Sequence, residues 1–216
     1  MSAPRARAHL ERLRSRAPYR FPEHAVPAHF RRAAVLVPFW AEPAALRVLL
    51  TRRASRMSRH AGQVAFPGGM LESGETHEQA ALREAHEEVG IDPALVEVLG
   101  RLDDAWSGAG SHIVPVVAWL RARPRLEANP AEVDEILVAD VADLLKPASR
   151  SEERVLRDGV EYVNPIVEWP GGRAYGLSAD LLLEALAWVS GGTPERGPAR
   201  LRDLDSWKAR ARLSPV

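Results

Sequence analysis

With 216 residues, 46% of them hydrophobic, the chain is long enough to bury one sizeable core, and its 29 basic and 29 acidic side chains cancel. A zero net charge gives no electrostatic reason to expect a nucleic acid or a membrane as partner. The absence of cysteine excludes disulfides, a thiol nucleophile and cysteine metal ligands. No apolar run approaches the roughly 20 residues of a membrane-spanning helix, and no secretory segment follows the start, so a soluble, cytoplasmic protein is expected.

Residues 1–32 carry eight arginines against Glu11 and Glu23, with a short helix expected in HLERLRSRA. An acid inside that helix and the lack of a clear cleavage site favour a solvated basic leader over an organelle-targeting segment. Pro18, Pro22 and Pro27 stop any helix before the folded domain, which is expected to occupy residues 33–190. Residues 33–39 (AAVLVPF) and 46–51 (LRVLLT) read as two strands joined by a turn, a hairpin. Arg47, Arg52, Arg53, Arg56 and Arg59 then follow with no acid among them. Arginine binds phosphate bidentately, more strongly than a neutral hydrogen bond does, so a phosphate-rich ligand is one reading; an exposed basic loop is the other.

The stretch GGMLESGETHEQAALREAHEEVGI, from Gly68 to Ile91, organises the chain. Thr76 with Gln79 predicts a capping box, Gly90 a left-handed stop, and the residues between them a helix over 76–89. Glu84, Glu87 and Glu88 share one face of it, and Leu82, Ala85 and Val89 the opposite, core-facing one. Like charges one turn apart repel, by a few tenths of a kcal/mol per pair. A hard divalent cation would turn that repulsion into attraction, and an all-oxygen ligand set suits Mg2+ or Mn2+ better than zinc. A solvated acidic face is the alternative.

The pattern is G-x5-E-x7-R-E-U-x-E-E-x-G-U, with U apolar. Gly69, Glu75, Arg83, Glu84, Ala85, Glu87, Glu88, Gly90 and Ile91 fill its places, and it resembles the signature of the Nudix hydrolases. The resemblance implies an α/β fold, an α/β/α sandwich with a mixed β-sheet. It also implies metal-dependent hydrolysis of a nucleoside diphosphate linked to another group. It places the metal on Glu84, Glu87 and Glu88 and gives Arg83 and Glu75 a bracing ion pair. Upstream, LLTRRASRMSRHAGQVAFPGG is similar to the extra signature of the coenzyme A pyrophosphatase branch, LLTxRSx3Rx3GxVxFPGG. Leu49, Leu50, Thr51, Arg53, Gly62, Val64, Phe66, Pro67, Gly68 and Gly69 match, whereas Ala54 replaces a serine and Ser58 an arginine. The second departure removes one candidate phosphate contact, which Arg56 or Arg59 would have to supply. Arg53, Arg56, Arg59, Gly68 and Gly69 are therefore the expected substrate contacts.

After the helix, residues 95–102 read as a strand, 103–111 as a turn-rich loop with His112 as a hydrogen-bonding residue, and 113–120 as a buried strand. Pro115 argues that this last strand is an edge or bulged. Asn129, Pro130, Glu132, Val133 and Glu135 match an NP-x-E-V-x-E segment of the same branch, and Glu132 is the candidate extra ligand or base for the attacking water. The strand EILVADV and a short helix follow, then a hairpin turning at Asp158-Gly159 and a turn at Pro170-Gly171-Gly172. The last helix, LLLEALAWV, should be capped by Ser178, with Tyr175 and the tryptophans in the core and 191–216 a linker and tail.

The expected activity is thus cleavage of coenzyme A or acyl-coenzyme A to 3′,5′-ADP and (acyl-)4′-phosphopantetheine. The expected partner is a small molecule, with a homodimer left open. Two other readings stand beside it. One is a related hydrolase acting on ADP-ribose, dinucleotides or oxidised nucleotides; the other is a nucleotide-binding module that does not cleave, against which three intact glutamates speak.

Overall fold

Alternation along three strands divides the core in two. In β1 (Arg31–Glu42), β2 (Ala45–Arg53) and β7 (Ser111–Leu120), successive residues point to opposite faces of one sheet. Leu36, Leu49, Val116, Ala118 and Leu120 face one cluster; Val37, Val48, Leu50, Val117 and Trp119 face the other. Such two-sided burial requires a layer on each face. Helix α2 (His77–Val89) covers the first with Ala80, Ala81, Ala85 and Val89. Helices α1 (Ala3–Glu11), α3 (Val141–Leu144) and α4 (Leu177–Val189) cover the second. These relations come from a computed structural model that describes residues 1–18, 20, 30–56, 61–107, 110–157, 160–192 and 194. The layers form the expected α/β/α sandwich. Among the described residues no helix is long and apolar enough to cross a membrane.

The eight-stranded sheet is mixed, with β1 and β7 parallel and the other pairs antiparallel. Its decisive irregularity is a splay. β1 and β2 leave their hairpin paired (Glu42↔Ala45 to Phe39↔Val48) and then part. Residues 64–70 enter between them: β3 (Val64–Ala65) pairs with β2 and β4 (Gly68–Met70) with β1. Pro38 falls where β1 passes from β4 to β2, so its missing N–H costs no ladder bond on that side. Beyond β2 lies β8 (Val133–Asp140); beyond β7 lie β5 (Val96–Arg101) and β6 (Ala105–Ser107).

Several expectations need correction. Pro115 lies inside the central strand β7, and not at an edge. It is tolerated because β7 changes partner there, pairing with β6 up to Ile113 and with β5 from Val116. The loop at 103–111 contains β6, and Asp103, Asp104 and Trp106 in it are buried. Residues 1–18 of the amino-terminal segment pack on the domain and are not a solvated leader. Its helix begins at Ala3, and Ala6, Leu10 and Leu13 are buried in the same cluster as α4. Arg16 ties it down through ion pairs to the buried carboxylates of Asp103 and Glu184.

Strands β9 (Arg150–Arg157), β10 (Val160–Trp169) and β11 (Gly172–Tyr175) form a separate antiparallel sheet. The pairing Val160↔Arg157 supports the first expected hairpin, although Asp158 and Gly159 lie outside the described residues. The pairing Trp169↔Gly172 supports the second turn. Helix α4 starts at Leu177 with Gly176, at φ +58°, as its cap, so Ser178 lies inside it and Gly176 supplies no side-chain cap. Trp40, Trp106, Trp119, Trp169 and Trp188 are buried as expected, but Tyr175 is exposed, its hydroxyl donating to Glu153. Most of the expected tail, with Ser58, Pro22 and Pro27, lies outside the described residues.

Candidate active site

The site forms where the splayed strands meet the carboxyl-terminal half of α2. That helix has the start and stop its sequence predicts. The Thr76 side chain accepts from the Gln79 N–H, the Gln79 side chain accepts from the Thr76 N–H, and Gly90 takes φ +72°. The last carbonyls of a helix have no partner within it. Here the Glu88 carbonyl accepts from the Asn129 N–H at 2.9 Å and the Val89 carbonyl from the Glu127 N–H at 3.0 Å. The 127–133 segment is therefore docked on the helix end. Its own tight turn, with Asn129 accepting from the N–H groups of Ala131, Glu132 and Val133, aims Glu132 back at the helix.

The result is a group of three carboxylates. One oxygen each from Glu84, Glu88 and Glu132 lies within 4.8 Å of the others. Glu88 is almost fully buried. Burial pushes its carboxyl up to about 8, against the opposing pull of the Gly68 N–H, which donates to it at 3.1 Å, and of Arg53. Burial also raises Glu84, which the Arg83 guanidinium pulls back down. Oxygen ligands alone, held together at a cost in desolvation and mutual repulsion, fit a hard divalent cation. Gly69 adds to the fit: a Cβ there would come within 2.2 Å of Glu84 Oε1, so the backbone crosses directly over the carboxylate.

Glu87 stands apart. It is half exposed and pairs with Arg83 at 3.1 Å, outside the three-carboxylate group. Arg83 is the brace the sequence suggested, and more. Its guanidinium donates to both oxygens of Glu75 (2.9 and 3.0 Å), to Glu84 (3.0 Å), to Glu87 and to the Met70 carbonyl. The Arg83 hydrogen bond holds the Glu75 carboxyl below its usual range. One side chain thus fixes the 70–75 loop to the helix.

Of the basic residues, Arg53 reaches the site, its Nη1 lying 3.8 Å from Glu88 Oε1. Arg47 pairs with Glu42 and Asp140, Arg52 with Glu135, and Arg56 is exposed on the loop beyond. Arg59 lies outside the described residues. Asp134 was not singled out by sequence. Its carboxylate accepts from the Ser55 N–H at 2.8 Å, while the Glu132 carbonyl accepts from Ala54, which clamps the basic loop to the acidic one. No spacing rule marks an acid for that task. His112 has the expected hydrogen-bonding role, but on β7 and buried, with Nε2 2.8 Å from Asp104.

Known proteins show what the chain is similar to. A family model described as the NUDIX domain matches residues 29–159. An Arabidopsis thaliana protein named Nudix hydrolase 15, mitochondrial, is 33% identical over 82% of this chain, which spans 64% of that protein's length. A Yersinia pestis protein named Uncharacterized Nudix hydrolase NudL is 34% identical over 77% of this chain and 84% of its own. Among solved structures, a Nudix hydrolase from M. smegmatis, RenU, is 28% identical, covering 53% of this chain and 73% of that one with a TM-score of 0.46.

Proposed function

Because the chain belongs to the Nudix family, we propose that it is a divalent-metal-dependent pyrophosphate hydrolase acting on coenzyme A or acyl-coenzyme A. The observation that supports hydrolysis most is the gathering of Glu84, Glu88 and Glu132 within 4.8 Å beside the Gly68–Gly69 backbone. These three would hold Mg2+ or Mn2+. A bound cation of this kind offsets charge on the pyrophosphate and acidifies water at the reacting phosphorus. Glu88 is held for that task by the Gly68 N–H, and Glu84 by Arg83. Glu132 enters from outside the helix, and its carboxylate would serve as the further ligand or as the base that accepts a proton from the attacking water. Glu87 acts through Arg83, keeping that guanidinium over the loop.

Support for coenzyme A comes from the sequence signature and from the placement of Arg53 at the rim of the carboxylate group. A guanidinium there binds the adenosine-side phosphates, with Arg56 or Arg59 extending the contact along the basic loop. Ala54, which replaces the usual serine, is fully buried, so its methyl group packs where a hydroxyl would need a partner. The departure therefore concerns the root of the loop.

The pure protein, incubated with coenzyme A, acetyl-coenzyme A, ADP-ribose, NADH and 8-oxo-dGTP with and without Mg2+ or Mn2+, tests the reading. The expected result is 3′,5′-ADP and 4′-phosphopantetheine (or its acetyl form), formed only with metal. Faster cleavage of another member of the panel would assign a different substrate to the same site. No cleavage of any would indicate a nucleotide-binding module.

A further inference from the structure

We propose that Asp134, the extra residue of a bulge in β8, is a positioning residue: it holds Glu132 and the root of the basic loop in one register, so that the places for cation and phosphate are built together. The inference rests on the three carboxylates being a cation site. It goes beyond that reading by adding a residue that touches neither cation nor substrate.

β2 and β8 pair residue for residue from Arg47↔Asp140 to Arg52↔Glu135, and the next pair is Arg53↔Val133, so Asp134 is the extra residue. One extra residue reverses the face to which the residues before it point. Burial records that reversal. Leu137 and Ala139 lie in the cluster covered by α4, and plain alternation would place Val133 with them. Val133 instead lies in the cluster covered by α2. The bulge therefore carries the start of β8 onto the α2 side, where Glu132 meets Glu84 and Glu88.

The Asp134 side chain then locks the register it has shifted. Its carboxylate accepts from the Ser55 N–H at 2.8 Å, and the Glu132 carbonyl accepts from the Ala54 N–H at 2.8 Å. Two successive amides of one segment are thus bound to residues 132 and 134 of the other, on either side of Val133. Ala54 is fully buried, and the Arg53 carbonyl accepts from the Gly62 N–H at 3.0 Å, so both ends of the basic loop close on this clamp. A bulge interrupts the backbone ladder, and here a side chain makes the bond that the ladder gives up.

Both partners of that bond are exposed, so water can satisfy the Ser55 N–H once the carboxylate is removed. Water does not fix where that N–H points. Losing the bond is therefore expected to spare the fold while loosening Glu132 against α2 and the basic loop against the cation. Glu135, the next residue along, makes the contrast: it pairs with Arg52 on the surface at 2.9 Å, beyond the bulge.

Two readouts taken side by side test this: Mn2+ titration of the substrate-free protein by calorimetry, and the KM for the substrate that is cleaved best. Asp134→Ala is expected to weaken Mn2+ binding about tenfold, the lower end for partners that orient a ligand, and to raise KM as well. Asp134→Asn keeps an acceptor oxygen and should restore both. Glu135→Gln should match the wild type throughout, and all three variants should melt near the wild-type temperature. Mn2+ binding unchanged in Asp134→Ala would overturn the inference. So would a change in one readout without the other, or an asparagine variant as weak as the alanine one. A variant that fails to fold would overturn it too, since the bond would then serve stability. A wild type that binds no Mn2+ would instead refute the cation site itself.

Discussion

At the scale of single residues, Glu88 is nearly covered and bears a cost in desolvation. Its carboxyl is raised to about 8 by burial, so the folded protein without metal keeps a proton that the unfolded chain loses near 4.5. The raised value means that this contribution to stability is present at low pH and fades as pH climbs from 4.5 through 8. A cation needs the carboxylate, so binding must expel that proton. Mn2+ binding is therefore expected to release close to one proton from Glu88 near pH 7. Its affinity should rise by up to about tenfold per pH unit until about pH 8, then level off. Calorimetry in buffers of different ionisation enthalpy reads both; affinity flat from pH 6 to 8 would contradict the assignment. The sequence placed Glu84, Glu87 and Glu88 on one helical face, and periodicity could go no further. That Glu87 turns to Arg83 while Glu132 takes the third place depends on a contact between residues 41 apart in the chain, Glu88 at the helix end and Asn129 at the turn.

At the scale of elements, helix α2 shows why the sequence was so readable there. Its capping box, left-handed stop and small buried residues are all local, and each was found where its spacing placed it. The capped first turn follows directly on the loop that Arg83 braces. Thr76→Ala removes one half of the box and should cost about 1 kcal/mol of stability, by the usual value of such caps. Denaturant unfolding would show it as a lower midpoint with an unchanged slope. A loss of several kcal/mol would mean that Thr76 holds more than the helix. The elements misread were those set by distant partners. Pro115 argued for an edge or a bulge, and only the handover of β7 from β6 to β5 shows how a central strand accepts it. The β8 bulge at Asp134 leaves no mark in composition, yet it separates the roles of Arg52 and Arg53.

At the scale of the whole molecule, the amino-terminal helix packs against α4, far from it in the chain. Glu11 inside this helix and the lack of a clear cleavage site made a solvated leader the expectation. The structure shows that some of the segment's charges are used inside: Arg16 lies between Asp103, after β5, and Glu184, on α4, and 5.0 Å from the Trp188 ring. Removing a cation from such a buried cluster typically costs on the order of 3 kcal/mol or more. Arg16→Ala should accordingly lower the melting temperature by several degrees, while Mn2+ binding at the distant carboxylates is retained in the folded protein. Melting unchanged from wild type would show that Leu10 and Leu13 hold the segment without the ion pairs. Such a partnership, between positions 16 and 184, lies beyond any local pattern.

The whole arrangement, splayed strands, docked turn and braced helix, converges on the space between three carboxylates. A crystal soaked in MnCl2 and measured at the manganese edge addresses that space directly. The account predicts an anomalous peak bounded by Glu84, Glu88 and Glu132, lost in Glu88→Gln. A peak elsewhere, with those carboxylates untouched while manganese still drives turnover, would contradict it.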